Sequence, residues 1–303
     1  MSWRGVILTL AVCAASVLPT IGQPHQPAQN GSGEVGGYVV VWEDLFDGEQ
    51  LDESVWNIVV NGRGGGNREL QYYRRENVAI TTEPTSGRSC LTLTARREPF
   101  EGKSFTSGRV NSNKKASFMY GKIEASICLP KGANGLWPAF WMLGGNFDEV
   151  SWPRCGEIDI LEMGNWEGYA NGTQETLFNG ACHWGFRRDG VYPNYARFSV
   201  APYSLQDEGF HLYTLIWDEG GIRMYLDLDK DPAAQPYFSM KIEESDDEWA
   251  TARYFRHDFF LLFNLAVGGN YTRIWEPEKI TAVPAGVDVN MYVDYVKVYQ
   301  KQK

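Results

Sequence analysis

The chain has 303 residues, 43% apolar and 22% charged, with 32 Gly and 14 Pro, which excludes a disordered tail and a collagen-like rod. A count of 28 basic against 38 acidic residues gives a net charge of −10, with no cluster of Lys and Arg long enough to track a phosphate backbone. Nucleic acid and anionic membrane are therefore excluded as partners, and the 11 Trp, 16 Tyr and 15 Phe suggest rings that fill a sheet core or stack on apolar ligand faces.

In chain order, Met1 to Arg4 carry one positive charge, followed by an apolar run from Gly5 to Val17 and small or turn residues through Gly22. This reads as a secretory signal peptide, residues 1–22, because the run is too short to span a bilayer. The remainder is expected to be secreted and extracellular. Residues 23–37 combine Pro, Gln, Gly and Asn with almost nothing to bury, so they are expected to form a flexible lead-in to one folded domain over 38–303.

Short β-branched or aromatic stretches then recur: Tyr38 to Trp42, Cys90 to Ala95, Gly121 to Cys128, Glu157 to Met163, His211 to Trp217, Gly221 to Leu226, Phe259 to Val267 and Met291 to Tyr299. Turn-formers separate them, and no long segment repeats apolar residues at helical spacing. Leu91-Thr-Leu-Thr-Ala95 and Tyr292 to Tyr299 alternate as antiparallel strands with one buried face do. The expectation is all-β, two packed sheets in a sandwich or jelly-roll. Gly-rich Asn61 to Asn67 lacks a following Gly-Lys-Ser/Thr and is read as a loop.

Outside the leader, Cys90, Cys128, Cys155 and Cys182 form an even set in a secreted chain, which predicts disulfides with three pairings open. Zinc is the weaker reading, because no C-x-x-C pair occurs. The sequons at Asn30, Asn171 and Asn270 offer N-glycan acceptors in a eukaryotic source.

The stretch Cys155-Gly-Glu-Ile-Asp-Ile-Leu-Glu-Met-Gly164 interleaves acids with branched apolar residues. On a strand, Glu157 and Asp159 share one face while Ile158 and Ile160 point into a core. Strict alternation would place Leu161 beside them; one extra residue, accommodated as a β-bulge, returns Glu162 to the acidic face. Three clustered carboxyls repel, so at least one holds a raised pKa, and a carboxylate beside a protonated acid is what a retaining glycosidase needs. An acidic solvated edge would explain the string alone. The neighbouring Gly135-Leu-Trp-Pro-Ala-Phe-Trp-Met-Leu143, Trp152 and Trp166 favour a sugar, whose C–H faces stack on indoles.

At these residues the chain resembles glycoside hydrolase family 16, specifically its laminarinase-like endo-β-1,3-glucanases. The resemblance takes in Trp42 to Gly48, Asn67-Arg-Glu-Leu-Gln-Tyr-Tyr73, Ser107-Gly-Arg-Val110, the Trp-Pro-Ala-Phe-Trp run, Glu157 to Glu162, Phe263 to Gly269 and Val293 to Tyr299. It implies a β-jelly-roll with a concave substrate cleft and double displacement, with Glu157 as nucleophile, Glu162 as acid/base and Asp159 as orienting partner. The spacing E-x-D-x-x-E is similar to the laminarinase branch rather than to the shorter E-x-D-x-E of lichenases. Substrate contacts implied are Trp141 and Trp152 near the cleavage point, with Trp137, Arg109, Asn67 and His183. The resemblance also implies a structural calcium on Asp294; catalysis requires no cofactor, and the partner is β-glucan, bound by a monomer. A non-catalytic glucan-recognition protein and a wall-remodelling transglycosylase are the alternatives on the same fold.

Overall fold

The computed structural model describes residues 37–131 and 134–302. The signal peptide, nearly all of the lead-in and the Asn30 sequon lie outside the described residues.

Two large antiparallel sheets form the molecule. In the first, the order is β16 (Phe238–Lys241), β15 (Gly221–Leu226), β14 (His211–Asp218), β9 (Gly121–Cys128), β18 (Val289–Lys301), β5 (Ser89–Ala95) and β4 (Val78–Thr82), with β1 (Tyr38–Asp44) also on β18. In the second it is β13 (Asn194–Val200), β12 (Leu177–His183), β11 (Glu157–Met163), β10 (Leu136–Gly144), β17 (Phe259–Val267), β7 (Arg109–Asn111) and β2 (Asn57–Ile58), with β8 (Ser117–Phe118) on β17. A parallel ribbon joins β3 (Gln71–Tyr73) to β6 (Phe105–Ser107). The helices are short, α1 over Phe147–Val150 and α2 over Trp166–Asn171. Among the described residues no helix is long and apolar enough to cross a membrane.

The jelly-roll sandwich expected from alternation is present, and every stretch named in the sequence forms a strand. Its core follows from the pleat: Ile123, Leu215 and Met224 of the first sheet meet Phe140, Ile158 and Phe263 of the second, all buried. Rings cross the gap, with Phe178 edge-on to Tyr237 at 4.7 Å and Trp217 edge-on to Phe259 at 5.2 Å. At Gly180 the sheets approach so closely that an added Cβ would lie 2.5 Å from the Met224 sulfur. A side chain at that position of β12 would have to displace Met224 and press on Phe238, whose Cβ would be 3.0 Å away.

The disulfide expectation is corrected. Cys90, Cys128, Cys155 and Cys182 are all free and buried. They pack as small apolar side chains, and burial pushes the thiols of Cys90, Cys128 and Cys155 up to about 12, far from the thiolate that exchange requires. The sandwich core already supplies what staples provide in small secreted domains.

Candidate active site

The site is built on β11. Against β10, Trp141 pairs with Asp159 while its neighbour Phe140 pairs with Leu161, so Ile160 is the extra residue. Against β12, Asp159 pairs with Ala181 and Glu162 with Asn179, again two residues opposite one. This is the bulge that the spacing predicts. It lets Ile158, Ile160 and Leu161 be buried in the core while Glu157, Asp159 and Glu162 share the opposite face.

Neighbouring strands supply the surroundings by register. Trp137 and Trp141 of β10 flank the acids on one side, and Asn179 and His183 of β12 on the other. The Trp137 indole N–H donates to Glu162 Oε1 at 3.1 Å, and the Asn179 amide donates to Glu162 Oε2 at 2.8 Å. Tyr271 stacks on Trp137 at 4.7 Å, and its hydroxyl donates to Asn179 Oδ1. His183 Nε2 lies 3.4 Å from Asp159 Oδ2 and 4.0 Å from Glu157 Oε1. Trp152 stands edge-on to Tyr192 at 4.8 Å, with its ring centroid 6.3 Å from that of His183, and carries the Arg187 guanidinium on its face at 5.2 Å.

Farther along the sheet, the Trp141 indole N–H donates to Asn264 Oδ1 at 2.7 Å, and the Arg109 guanidinium sits 4.9 Å above the Trp141 ring. Asn67, Glu69, Arg109, Trp137, Trp141 and the three acids line one pocket. The loop bearing Asn67 is docked by Asn67 O accepting from the Asn270 backbone N–H. Glu69 is buried there, accepting from Gln71 at 2.6 Å and from Tyr73 at 3.3 Å.

Burial, and next the Asp159 charge, raise Glu157 well above the usual carboxylate range. Burial and then the Glu162 charge do the same to Asp159. Burial also raises Glu162, against the pull of the Asn179 and Trp137 donors. Glu157 and Asp159 stand beside each other on this face with His183 Nε2 near both, so each carboxylate charge disfavours ionisation of the other. With all three raised, the cluster holds fewer than three negative charges, and two donors fix the Glu162 carboxyl in place.

All the sequence-predicted acids and Trp141, Trp152, Trp137, Arg109, Asn67 and His183 come together around this face. Asp294 does not. It lies on β18 of the other sheet, where Arg88 Nη1 meets its Oδ2 at 2.6 Å and the Ser126 hydroxyl is 3.4 Å away. A guanidinium stands where a cation would need the carboxylate, so these residues do not fit the implied calcium. Among the described residues, the three-residue set with metal-ligand spacing is Glu157, Asp159 and His183, within 4.8 Å of one another. Asn179, Asn264, Glu69 and Tyr271 escaped the sequence reading. Asn179 alternates with His183 in Asn179-Gly-Ala-Cys-His183, and Asn264 interrupts an apolar strand, signals that would have found both.

A sandwich sheet that gathers three carboxyls, Asp159 buried and Glu157 and Glu162 half-buried, among indoles and amides defines a glycosidase. Residues 67–235 match the sequence model of Glycosyl hydrolases family 16, and the chain belongs to that family. It is 32% identical over 86% of its length to the Clotting factor G alpha subunit of Tachypleus tridentatus, of whose own length it spans 34%. A Bacteroides ovatus mixed linkage glucan family 16 structure in complex with G4G4G3G product superposes with a TM-score of 0.74 at 39% identity, covering 86% of this chain and 100% of that one. The laminarinase from Rhodothermus marinus gives a TM-score of 0.70 at 32% identity, covering 88% of this chain and 98% of that one.

Proposed function

We propose that this chain is a secreted, monomeric, retaining endo-β-1,3-glucanase acting on laminarin-type β-glucans. The observation that carries the reading is the bulged strand that turns Glu157, Asp159 and Glu162 to one face, with two donors fixing Glu162. In the first step the Glu157 carboxylate bonds to the anomeric carbon as the glycosidic C–O bond breaks, and Glu162 gives its proton to the leaving oxygen. In the second, Glu162 takes a proton from water, whose oxygen displaces Glu157 from the same carbon. Asp159 shares the proton that keeps Glu157 oriented, and His183 faces both carboxyls. Trp141, Trp137 and Trp152 hold sugar faces, and Arg109 and Asn67 take hydroxyls at the pocket wall.

The laminarinase name of one structural relative supports the β-1,3 linkage, and the mixed-linkage product complex of another widens the panel worth testing. Both glutamates a non-catalytic binder would dispense with are present and line the pocket. Reducing sugar released from laminarin, curdlan and mixed-linkage glucan tests the reading. The wild type is expected to release sugar, most from laminarin, and Glu157→Gln and Glu162→Gln each to lose roughly a thousandfold or more in rate. A folded wild type that binds laminarin and releases nothing refutes it.

A further inference from the structure

The outer edge of the catalytic sheet is β13, whose residues are nearly all exposed. Its register on β12 places Asn194 beside His183, Ala196 beside Ala181, and Phe198 beside Asn179. Directly paired residues share a face, so Phe198 stands on the face of Asn179, whose amide bonds Glu162. The opposite parity confirms this: Tyr195 packs on Phe238 of the other sheet at 5.3 Å, and the Ser199 hydroxyl donates to Tyr237 O on that same side. Phe198 is 42% exposed and Val200, two residues on, is 61% exposed. No ring or cation stacks on Phe198 among the described residues, whereas Trp137, Trp141 and Trp152 each carry such a neighbour.

An edge strand that shows apolar side chains and no charge on one face invites aggregation, and sheets ordinarily blunt such edges with Lys or Pro. Here Asn194, Ala196, Phe198 and Val200 leave that face uncharged. It is continuous with the acids through β12 and lies two strand spacings from β11, about 9–10 Å.

We propose that Phe198 is the stacking platform of an outlying sugar subsite, so that a glucan chain crossing the acids continues over β12 and rests a pyranose face on the Phe198 ring. This rests on the glucanase reading and adds that the substrate is recognised as an extended chain on the His183 side. Phe198 touches no reacting atom; its part is specificity for chain length.

The test compares wild type, Phe198→Ala and Phe198→Trp on laminarin and on an aryl β-1,3-linked disaccharide, which covers too few units to reach β13 on either side of the cut. Phe198→Ala should lose about twofold to tenfold in kcat/KM on laminarin and nothing on the disaccharide, while Phe198→Trp keeps or raises the laminarin value. A second arm measures retardation in laminarin-containing gels for Glu157→Gln with and without Phe198→Ala, where the double variant should be retarded less. Unchanged kcat/KM on laminarin, or equal losses on both substrates, overturns the platform. So does unchanged cleavage with a self-association in sedimentation that Phe198→Ala abolishes, which would make this edge a contact between copies. A wild type inactive on every glucan sinks the glucanase reading instead, and the gel arm still decides the platform.

Discussion

Trp137→Phe removes one hydrogen-bond donor from Glu162 and little else. The indole N–H to Glu162 Oε1 at 3.1 Å is lost, while the phenyl ring keeps most of the stack on Tyr271. No buried donor is orphaned, because the donor itself is deleted. A hydrogen bond to an ionised acceptor contributes about 1.5–3 kcal/mol, and partial exposure of Trp137 lowers this to about 1–1.5 kcal/mol. The N–H favours the anion of Glu162, so removing it makes the acid harder to deprotonate. Glu162 must be protonated to serve the leaving group, and its deprotonation sets the alkaline limb of kcat/KM. The variant's alkaline limb should therefore move to higher pH by about one unit, since one unit corresponds to about 1.36 kcal/mol. The assay is the kcat/KM profile on laminarin from acid to alkaline pH for both proteins. A lower kcat/KM with an unmoved alkaline limb would refute the reasoning, leaving Trp137 as a sugar platform that does not tune Glu162.

Asp227, on the other sheet, resists burial through hydrogen bonds from His211, the Leu212 N–H and Tyr203, and is held down to about 2. A depressed carboxyl stabilises the fold above its unfolded pKa and loses that contribution as pH falls, here between about 4 and 2. Asp227→Asn should thus cost about 2 kcal/mol in denaturant unfolding at pH 7 and much less near pH 2, with specific activity unchanged; equal costs at both pH values would contradict the assignment. The free thiols predict that Cys90, Cys128, Cys155 and Cys182 all titrate with a thiol reagent in denaturant without reductant, and that reductant leaves the melting temperature unmoved; fewer than four thiols would show a disulfide. Phe263, fully buried and stacked on Phe140 at 4.6 Å, should cost about 3–5 kcal/mol when changed to Ala, read by denaturant unfolding; a loss under 1 kcal/mol would mean that the sheets repack freely.

What was legible in the sequence is what a strand writes locally. Alternation fixes the face of each residue, so Leu91 to Ala95 announced a strand, and the extra residue between Asp159 and Glu162 announced a bulge that both flanking strands display. The companions of the acids were harder to see because pairing is non-local: Asn179 lies 17 residues from Glu162, and Asn264 lies 123 from Trp141. The disulfide expectation came from compartment and an even count, neither of which measures whether sulfurs meet. The calcium expectation came from resemblance at Asp294, where Arg88, 206 residues away in the chain, already meets the carboxylate.

The central claim is that Glu157 attacks and Glu162 protonates from the same sheet face. Proton NMR of nascent laminarin fragments tests it most directly: the β-anomer should appear first and then mutarotate, with no signal from Glu157→Gln. An α-anomer appearing first, or undiminished release by Glu157→Gln, would contradict it.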